Sequence, residues 1–490
     1  VLACVDGLDA PAARRNGTGS GVAERRQDDA PERRAASGPV APLVLCIRDV
    51  DVPDAGVEVI DALQRHAFAY FAAAADAATG LVADALPGDS PASIAAVGFA
   101  LAAYPVGVER GYLSRAEAVA RALAALRFFW TSPQGPQPDA TGYRGFYYHF
   151  LDRGTGRRAL GCELSTVDTA WLLAGALTAG AYFDGDAPAE REVRTLADGL
   201  YRRADWRWAQ NGEAAAGVAQ GWTPERGFLP ARWRGYCEAL LLYVLGLGSP
   251  THPLPPASYG AWTATYRWRR LYGHDLLYGG PLFLHVLSHA WVDFRGIRDA
   301  FMRARGSDYF ENSRRALHVQ RRYAVRNPRG FPGYGADAWG LSASDGPGPG
   351  ERAAGGRRRR LFAYRARGCP FGPDDGTLAP AAVAAALPFE PSLVVPALRR
   401  WLRPAPGAPP VVGAAGLAGG LNPGGGASPA PGRPSGAPWV SPRRFGIDQG
   451  PVVVMLENHR SGLVWRLMRT CPYVAEGLRR AGFSGGWLGP

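Results

Sequence analysis

Glu238-Ala239-Leu240-Leu241-Leu242-Tyr243-Val244-Leu245 is apolar on every side of a helical turn. A helix of that kind has no polar face to show water, so other helices must enclose it. Working outward in both directions, apolar residues recur at three- and four-residue spacing rather than alternating. The spacing predicts helices over 57–75, 93–110, 115–130, 166–183, 189–204 and 234–247. It predicts six more over 258–268, 282–294, 309–326, 380–387, 392–402 and 450–459. Some twelve helices with few strands describe an all-α architecture, which six inner helices wrapped by six outer ones would satisfy. No solenoid repeat is visible.

Composition narrows the function classes. A chain of 490 residues suggests about three domains at ~150 residues each, although helical barrels run longer as one unit. The net charge is +12, yet the chain contains no lysine and every basic residue is arginine. Arginine, alanine, glycine and proline in excess are the mark of GC-rich coding, so basicity is weak support for a nucleic-acid partner. The densest run, Arg357 to Arg360, reads as a solvated loop without a nucleic-acid motif. Without lysine there is no Schiff-base chemistry and no phosphate-loop lysine. No stretch of ~18 apolar residues is present, so no membrane span is expected. No basic start followed by an apolar run marks a secretory signal. Cys4, Cys46, Cys162, Cys237, Cys369 and Cys471 form no CxxC pair and read as small buried residues.

Three stretches lack periodicity. Residues 1–53 read as a disordered leader, 346–360 as an irregular connection, and 404–438 as a long Pro/Gly-rich surface loop within the domain.

Polar and aromatic residues concentrate at helix ends and in glycine-containing loops. Gly142-Tyr143-Arg144-Gly145-Phe146-Tyr147-Tyr148-His149-Phe150 interleaves aromatics with His and Arg, which suits a sugar platform of flat apolar faces and fixed polar rims. A packed aromatic cluster is the alternative for each ring. Ser165 and Asp168 have capping-box spacing before an apolar run, which explains Asp168 structurally. Glu163 lies just outside that cap and has no such explanation. To act as an acid near neutral pH it would need partial burial or a neighbouring carboxylate. Asp84, Asp345 and Asp375 occupy similar loops, where Asp is also a common turn residue. His285, His289 and Asp293 form a row at i, i+4 and i+8 of the 282–294 helix, with Arg295 and Arg298 following. Such a row can bind metal, but no Glu follows His285 as in HExxH, and we prefer a hydrogen-bonding face with no metal. Neither a GxSxG elbow nor a dinucleotide fingerprint is present. Carboxylates with aromatics remain, the combination of glycoside hydrolysis.

The run Pro281-Leu282-Phe283-Leu284-His285-Val286-Leu287-Ser288-His289-Ala290-Trp291-Val292-Asp293-Phe294-Arg295-Gly296 resembles a hallmark of the glycoamylase-like proteins. These include the endo-β-1,2-glucanases of glycoside hydrolase family 144 and a segment of cyclic β-1,2-glucan synthases. The likeness continues through Tyr309 to Arg314, Trp339 to Gly346, Asp375-Gly376-Thr377, Gly446 to Pro451, Glu457-Asn458 and Gly485 to Leu488. It covers essentially everything from residue 54 onward, in order. The resemblance implies an (α/α)6 barrel over 54–490 and inverting hydrolysis of β-1,2-glucan outside the cytoplasm, in the periplasm or secreted. It matches Glu163 to the family's catalytic glutamate, and Asp84 and Asp345 to acidic residues tied to activity. One departure is Gly416 to Pro423, where family members carry an aromatic, acidic Asn-Pro loop. A changed subsite there would shift chain-length preference, which bears on endo action rather than on the substrate.

The expectation is therefore a cofactor-free β-1,2-glucan hydrolase, monomeric, with no nucleic-acid partner. Glu163 is expected as general acid, Asp345 as base, and Asp84 as the residue positioning the sugar or that base. Phe146, Tyr147, Trp222, Trp233, Tyr334 and Trp339 are the candidate stacking surfaces. Glu238, Asp293, Arg295, Asp375 and Asp448 are the candidate polar contacts. An exo-acting hydrolase, a transglycosylase and a non-catalytic glucan-binding protein are the rivals.

Overall fold

The computed structural model describes residues 55–212, 216–354, 357–403, 409–426 and 437–490. The leader expected over 1–53 lies outside the described residues. Fifteen α-helices occur among those described: α1 Ala55–Ala74, α2 Ile94–Glu109, α3 Arg115–Thr131, α4 Thr166–Tyr182, α5 Pro188–Arg203, α6 Trp206–Ala209, α7 Leu240–Gly248 and α8 Pro256–Thr263 come first. α9 Ala300–Arg303, α10 Tyr309–Arg326, α11 Pro380–Ala385, α12 Pro391–Leu402, α13 Gly446–Arg460, α14 Leu463–Thr470 and α15 Pro472–Arg480 complete the set. Strands are two to five residues long and pair in twos and threes between helices.

Local chemistry explains the helix starts. The Ser93 side chain accepts from Ala96 N at the head of α2. Ser114 and Glu117 form a reciprocal capping box on α3. α5, α8, α11, α12 and α15 each begin with proline, whose missing N–H costs nothing in the first turn. α10 is capped by Asp308 and ends at Asn327 in the left-handed region.

The all-round apolar segment is enclosed as its sequence demands, with every residue of α7 buried. α2 packs on α4 and α13, α4 on α7, and α13 on α11. α11 in turn packs on the turn at Leu282–His285, and Ser288 bonds the backbone at Leu241 and Glu238, next to α7. α1, α3, α5, α12 and α15 lie against these buried segments. At the interior Phe99 lies 4.7 Å from Trp291 and 6.5 Å from Trp171, ring centroid to centroid. α2 and α4 approach so closely that a Cβ on Gly98 would stand 2.4 Å from Trp171 O, and one on Gly175 1.9 Å from Gly98 O. Only glycine permits that backbone-to-backbone contact.

Three expectations change. The stretch 346–360, expected as an irregular connection with Arg357 to Arg360 in a solvated loop, holds an antiparallel strand pair, Gly350–Ala354 with Arg357–Leu361. The segment over 282–294 is not an α-helix but two 3-10 turns, Leu282–His285 and Leu287–Ala290. Remote side chains take the carbonyls an α-helix would use: Ser313 Oγ donates to His285 O, Trp465 Nε1 to His289 O and Asn458 Nδ2 to Ala290 O. The described part of the Pro/Gly-rich stretch is also not simply a surface loop. Leu417, Ala418 and Asn422 are buried, Asp345 N donates to Gly419 O, and Leu421 exchanges backbone bonds with Leu378.

Candidate active site

Short strand pairs stand directly before three of the buried helices and gather their N-terminal ends. Ala85–Leu86 pairs with Arg444–Phe445, just before α13. Ala92–Ser93, just before α2, pairs with Phe150–Leu151. Leu164–Ser165, just before α4, pairs with Gly221–Trp222, and Tyr148 bridges Leu164. These pairings bring Asp84, His149, Glu163 and Arg443 to one cavity of about 290 Å³, walled in part by Trp171 and Trp233. Glu163 fits because residue 221 is glycine. A Cβ there would lie 2.6 Å from Leu164 O and 2.8 Å from Glu163 Cγ.

Glu163, 13% exposed, has Oε1 3.2 Å from His149 Nδ1. On the other side of the ring, His149 Nε2 lies 3.7 Å from Asp168 Oδ1. The ring stacks on Phe150 at 4.1 Å. Ser165 caps α4 through Asp168 N. The Asp168 carboxylate, expected to complete a capping box, instead accepts from Ser165 Oγ and faces His149. Burial would raise the Glu163 carboxyl, but the hydrogen bond and charge of His149 bring it below the ordinary value. Burial raises Asp84 to about 6, with His149 and Arg443 pulling against it. Partial burial of Glu163 is thus present, and its expected acid-favouring effect is outweighed by an unanticipated histidine.

Asp345 does not line this cavity. Its Oδ1 accepts from Arg443 Nη2 at 2.8 Å and its Oδ2 from Ser441 Oγ at 2.7 Å, so both oxygens are engaged. Its partner Arg443 lines the cavity. Asp448 borders a smaller neighbouring cavity, and Tyr364 and Ile447 line both. The Asp448 carboxyl sits deep, although solvent still touches the residue. Burial first, then Asp84 and Asp345, raise it well above the usual carboxylate range. Tyr364, 39% exposed and 5.3 Å from Phe445 in an edge-on contact, is an aromatic surface the sequence reading missed.

Of the stacking candidates, Trp233 alone lines the larger cavity, its Nε1 bonded to Thr166 Oγ1. Phe146 and Tyr147 are fully buried. Phe146 meets Trp206 edge-on, and the Tyr147 hydroxyl donates to Phe129 O. The aromatic run is a packed cluster, and only its end, His149 and Phe150, reaches the cavity. Trp222 packs with Tyr143 and Trp208, Tyr334 donates to Asp374, and Trp339 is buried. Trp339 is thus a core residue, whereas Trp222 and Tyr334 are half-buried outside the larger cavity.

The remaining polar candidates also lie elsewhere. Asp375 holds buried Arg367 through two bonds of 2.7 and 2.8 Å. Asp293 is paired with Arg295 and Arg469. Glu238 is fully buried, its carbonyl accepting from Ser288. Burial lowers His285 to about 4 and His289 to about 3. His285 Nε2 meets Gly279 O and His289 Nε2 meets Ser313 Oγ, so the row is an internal hydrogen-bonding set. Its i, i+4, i+8 alignment is lost with the α-helix that would have produced it.

Residues 230–472 match the family model described as Glycoamylase. The exo β-1,2-glucooligosaccharide sophorohydrolase (non-reducing end) of Parabacteroides distasonis is 28% identical over 457 residues, covering 86% of this chain. The chain spans 57% of that curated relative's length. An endo-β-1,2-glucanase from Chitinophaga pinensis, solved with sophorotriose and glucose, is similar at TM-score 0.73 and 25% identity, covering 88% of this chain and 99% of that one. A β-1,2-glucanase structure from Parabacteroides distasonis gives TM-score 0.75 and 26% identity, covering 89% of this chain and 61% of that one. Residues 230–472 thus match a glycoamylase-like model, and the proteins similar to this chain over most of its length include β-1,2-glucanases and a sophorohydrolase.

Proposed function

We propose that this chain hydrolyses β-1,2-glucan by paired carboxylate catalysis, endo-acting and with inversion, on an (α/α)6 barrel. The observation that carries the reading is the cavity that Glu163 and Asp84 both line, with Trp171 and Trp233 also in its wall. Glycoside hydrolysis needs one carboxyl to protonate the leaving oxygen and another to activate water or attack. Glu163 is the acid. Asp84 is the base, in place of Asp345: it faces the cavity, and a group titrating near 6 is ionised at neutral pH yet basic enough to take a proton from water. Asp345 fixes Arg443 in the wall, and Tyr364 and Trp233 offer faces to the sugar rings. The barrel reading rests on the succession of buried segments from α13 through α2, α4, α7, the 282–290 turns and α11 back to α13. A monomer acting in the periplasm or as a secreted protein, without a nucleic-acid partner, completes the proposal.

Turnover on a panel of linear β-linked glucans tests it. Hydrolysis of the β-1,2 polymer alone is expected, and activity on other linkages without it would refute the reading. A second reading, exo release of sophorose, is favoured by the name of the Parabacteroides relative. Early accumulation of a ladder of oligosaccharides marks endo action, and sophorose alone from the outset marks exo.

A further inference from the structure

The reading of Glu163 as acid leaves a chemical question, because its resting environment favours the carboxylate. The proton has a holder in the same cluster. His149 is 14% exposed and lies between two carboxylates, Glu163 3.2 Å from Nδ1 and Asp168 3.7 Å from Nε2. Ser165 Oγ fixes the Asp168 carboxylate at the head of α4, and Phe150 stacks on the imidazole. Neither arrangement is needed to cap the helix, since Ser165 does that through the Asp168 backbone.

We infer that His149 is a positioning residue that stores the catalytic proton and passes it to Glu163, with Asp168 as its counter-charge. This rests on the hydrolase reading above. As a sugar fills the cavity, water leaves Glu163 and its charged form loses stabilisation. The His149 Nδ1–H bond breaks with its electron pair staying on nitrogen, and Glu163 Oε1 gains the proton. Glu163 then gives that proton to the glycosidic oxygen as the C1–O bond breaks with its pair on oxygen. Water adds at C1 and loses its proton to Asp84. Solvent reprotonates His149 and accepts the proton from Asp84, which closes the cycle.

Burial alone would lower His149, but Asp168 first and then Glu163 hold it above the ordinary imidazole value of 6.5. The other groups facing the cluster are Asp84 before α2, Arg443 before α13, Tyr364 on the 361–367 loop and Cys162 beside Glu163. Glu163, Asp84 and His149 therefore titrate as a coupled set.

The test is the pH dependence of kcat/KM on linear β-1,2-glucan. In the parent protein the alkaline limb should fall with an apparent pKa above 6.5. His149→Gln leaves the proton on a half-buried carboxyl alone, so the limb should move to lower pH by about one unit or more, with optimum turnover within about tenfold. Asp168→Asn, which keeps the backbone cap, should move it the same way by less. A purely structural histidine would lower turnover at every pH and leave the limb in place. An unmoved limb in Asp168→Asn overturns the relay, whether or not His149→Gln folds. Glu163→Gln separates the two readings. If it stays active, the hydrolase assignment of Glu163 fails. If it is inactive while the limb is unmoved in the other variants, only the relay fails.

Discussion

Two buried regions of this molecule set histidine near carboxylate, with opposite results. At the cavity, His149 stands between Glu163 and Asp168 and is held above its ordinary pKa. In the 3-10 segment, His285 and His289 are driven down to about 4 and 3, although Asp293 stands near His289. Burial opposes the imidazolium in both. The difference lies in what the carboxylates face: Asp293 directs its charge at Arg295 and Arg469, whereas among the described residues no arginine pairs with Glu163 or Asp168, and both direct their charge at one ring. A buried histidine becomes chemically useful where its carboxylate partners are not already claimed.

The largest expected effect strikes the cavity. Glu163→Gln should lower turnover on β-1,2-glucan by at least ~10²-fold, while calorimetric affinity stays within a few-fold. An activated aryl glycoside, if accepted, should lose less because its leaving group needs little protonation. Next comes Asp84→Asn, expected to cost about 10²-fold or more and to abolish the rise of kcat/KM through pH 6, since a base must be ionised to act. If Asp345→Asn costs more than Asp84→Asn, the two roles are reversed. Gly221→Ala should press on Leu164 O and on the Glu163 stem and cost about tenfold, less than the ~10² of a full ångström misplacement. Its melting temperature would separate a displaced acid from a damaged fold.

The smallest effect concerns the second region and is read in stability. His285 and His289 have depressed folded pKa values, so the unfolded chain binds their protons first as pH falls. Their stabilisation is whole above about 6.5 and is lost as pH drops through 4 and 3, on the order of a few kcal/mol. Asp84, raised to about 6, acts oppositely, its contribution fading as pH rises from 3.8 to 6. His289→Gln should flatten the acid side of the melting curve against pH. An unchanged slope would place the acid sensitivity elsewhere.

Much of the helix pattern was legible because its causes are local. Ser93, Ser114 and Ser165 stand at helix heads, and the Leu240–Leu245 run has no side for water. Glu163 was legible because the adjacent cap left it no structural task. The aromatic run misled because a ring suited to a sugar is equally suited to a core, and spacing does not tell the two apart. His149 was hidden because its partner is fourteen residues away, joined by the Tyr148–Leu164 bridge. The engagement of Asp345 by Arg443, ninety-eight residues on, left no local trace. The 3-10 turns depend on donors from Ser313, Asn458 and Trp465, which no periodicity within 282–294 encodes.

The Gly98–Gly175 contact has a mechanical consequence. With backbone against backbone, α2 and α4 have no side-chain cushion through which to slide, so their heads at Ser93 and Ser165 behave as a fixed jaw carrying the acid and its histidine. The opposing jaw is built differently: Tyr364 and Arg443 stand on loops, tied by the two-residue pairings 343–344 with 365–366 and 85–86 with 444–445. Adjustment to longer or shorter sugar chains therefore falls to that side. Lineages that change chain-length preference are expected to rewrite the loops around 364 and 443 while leaving the two glycines alone.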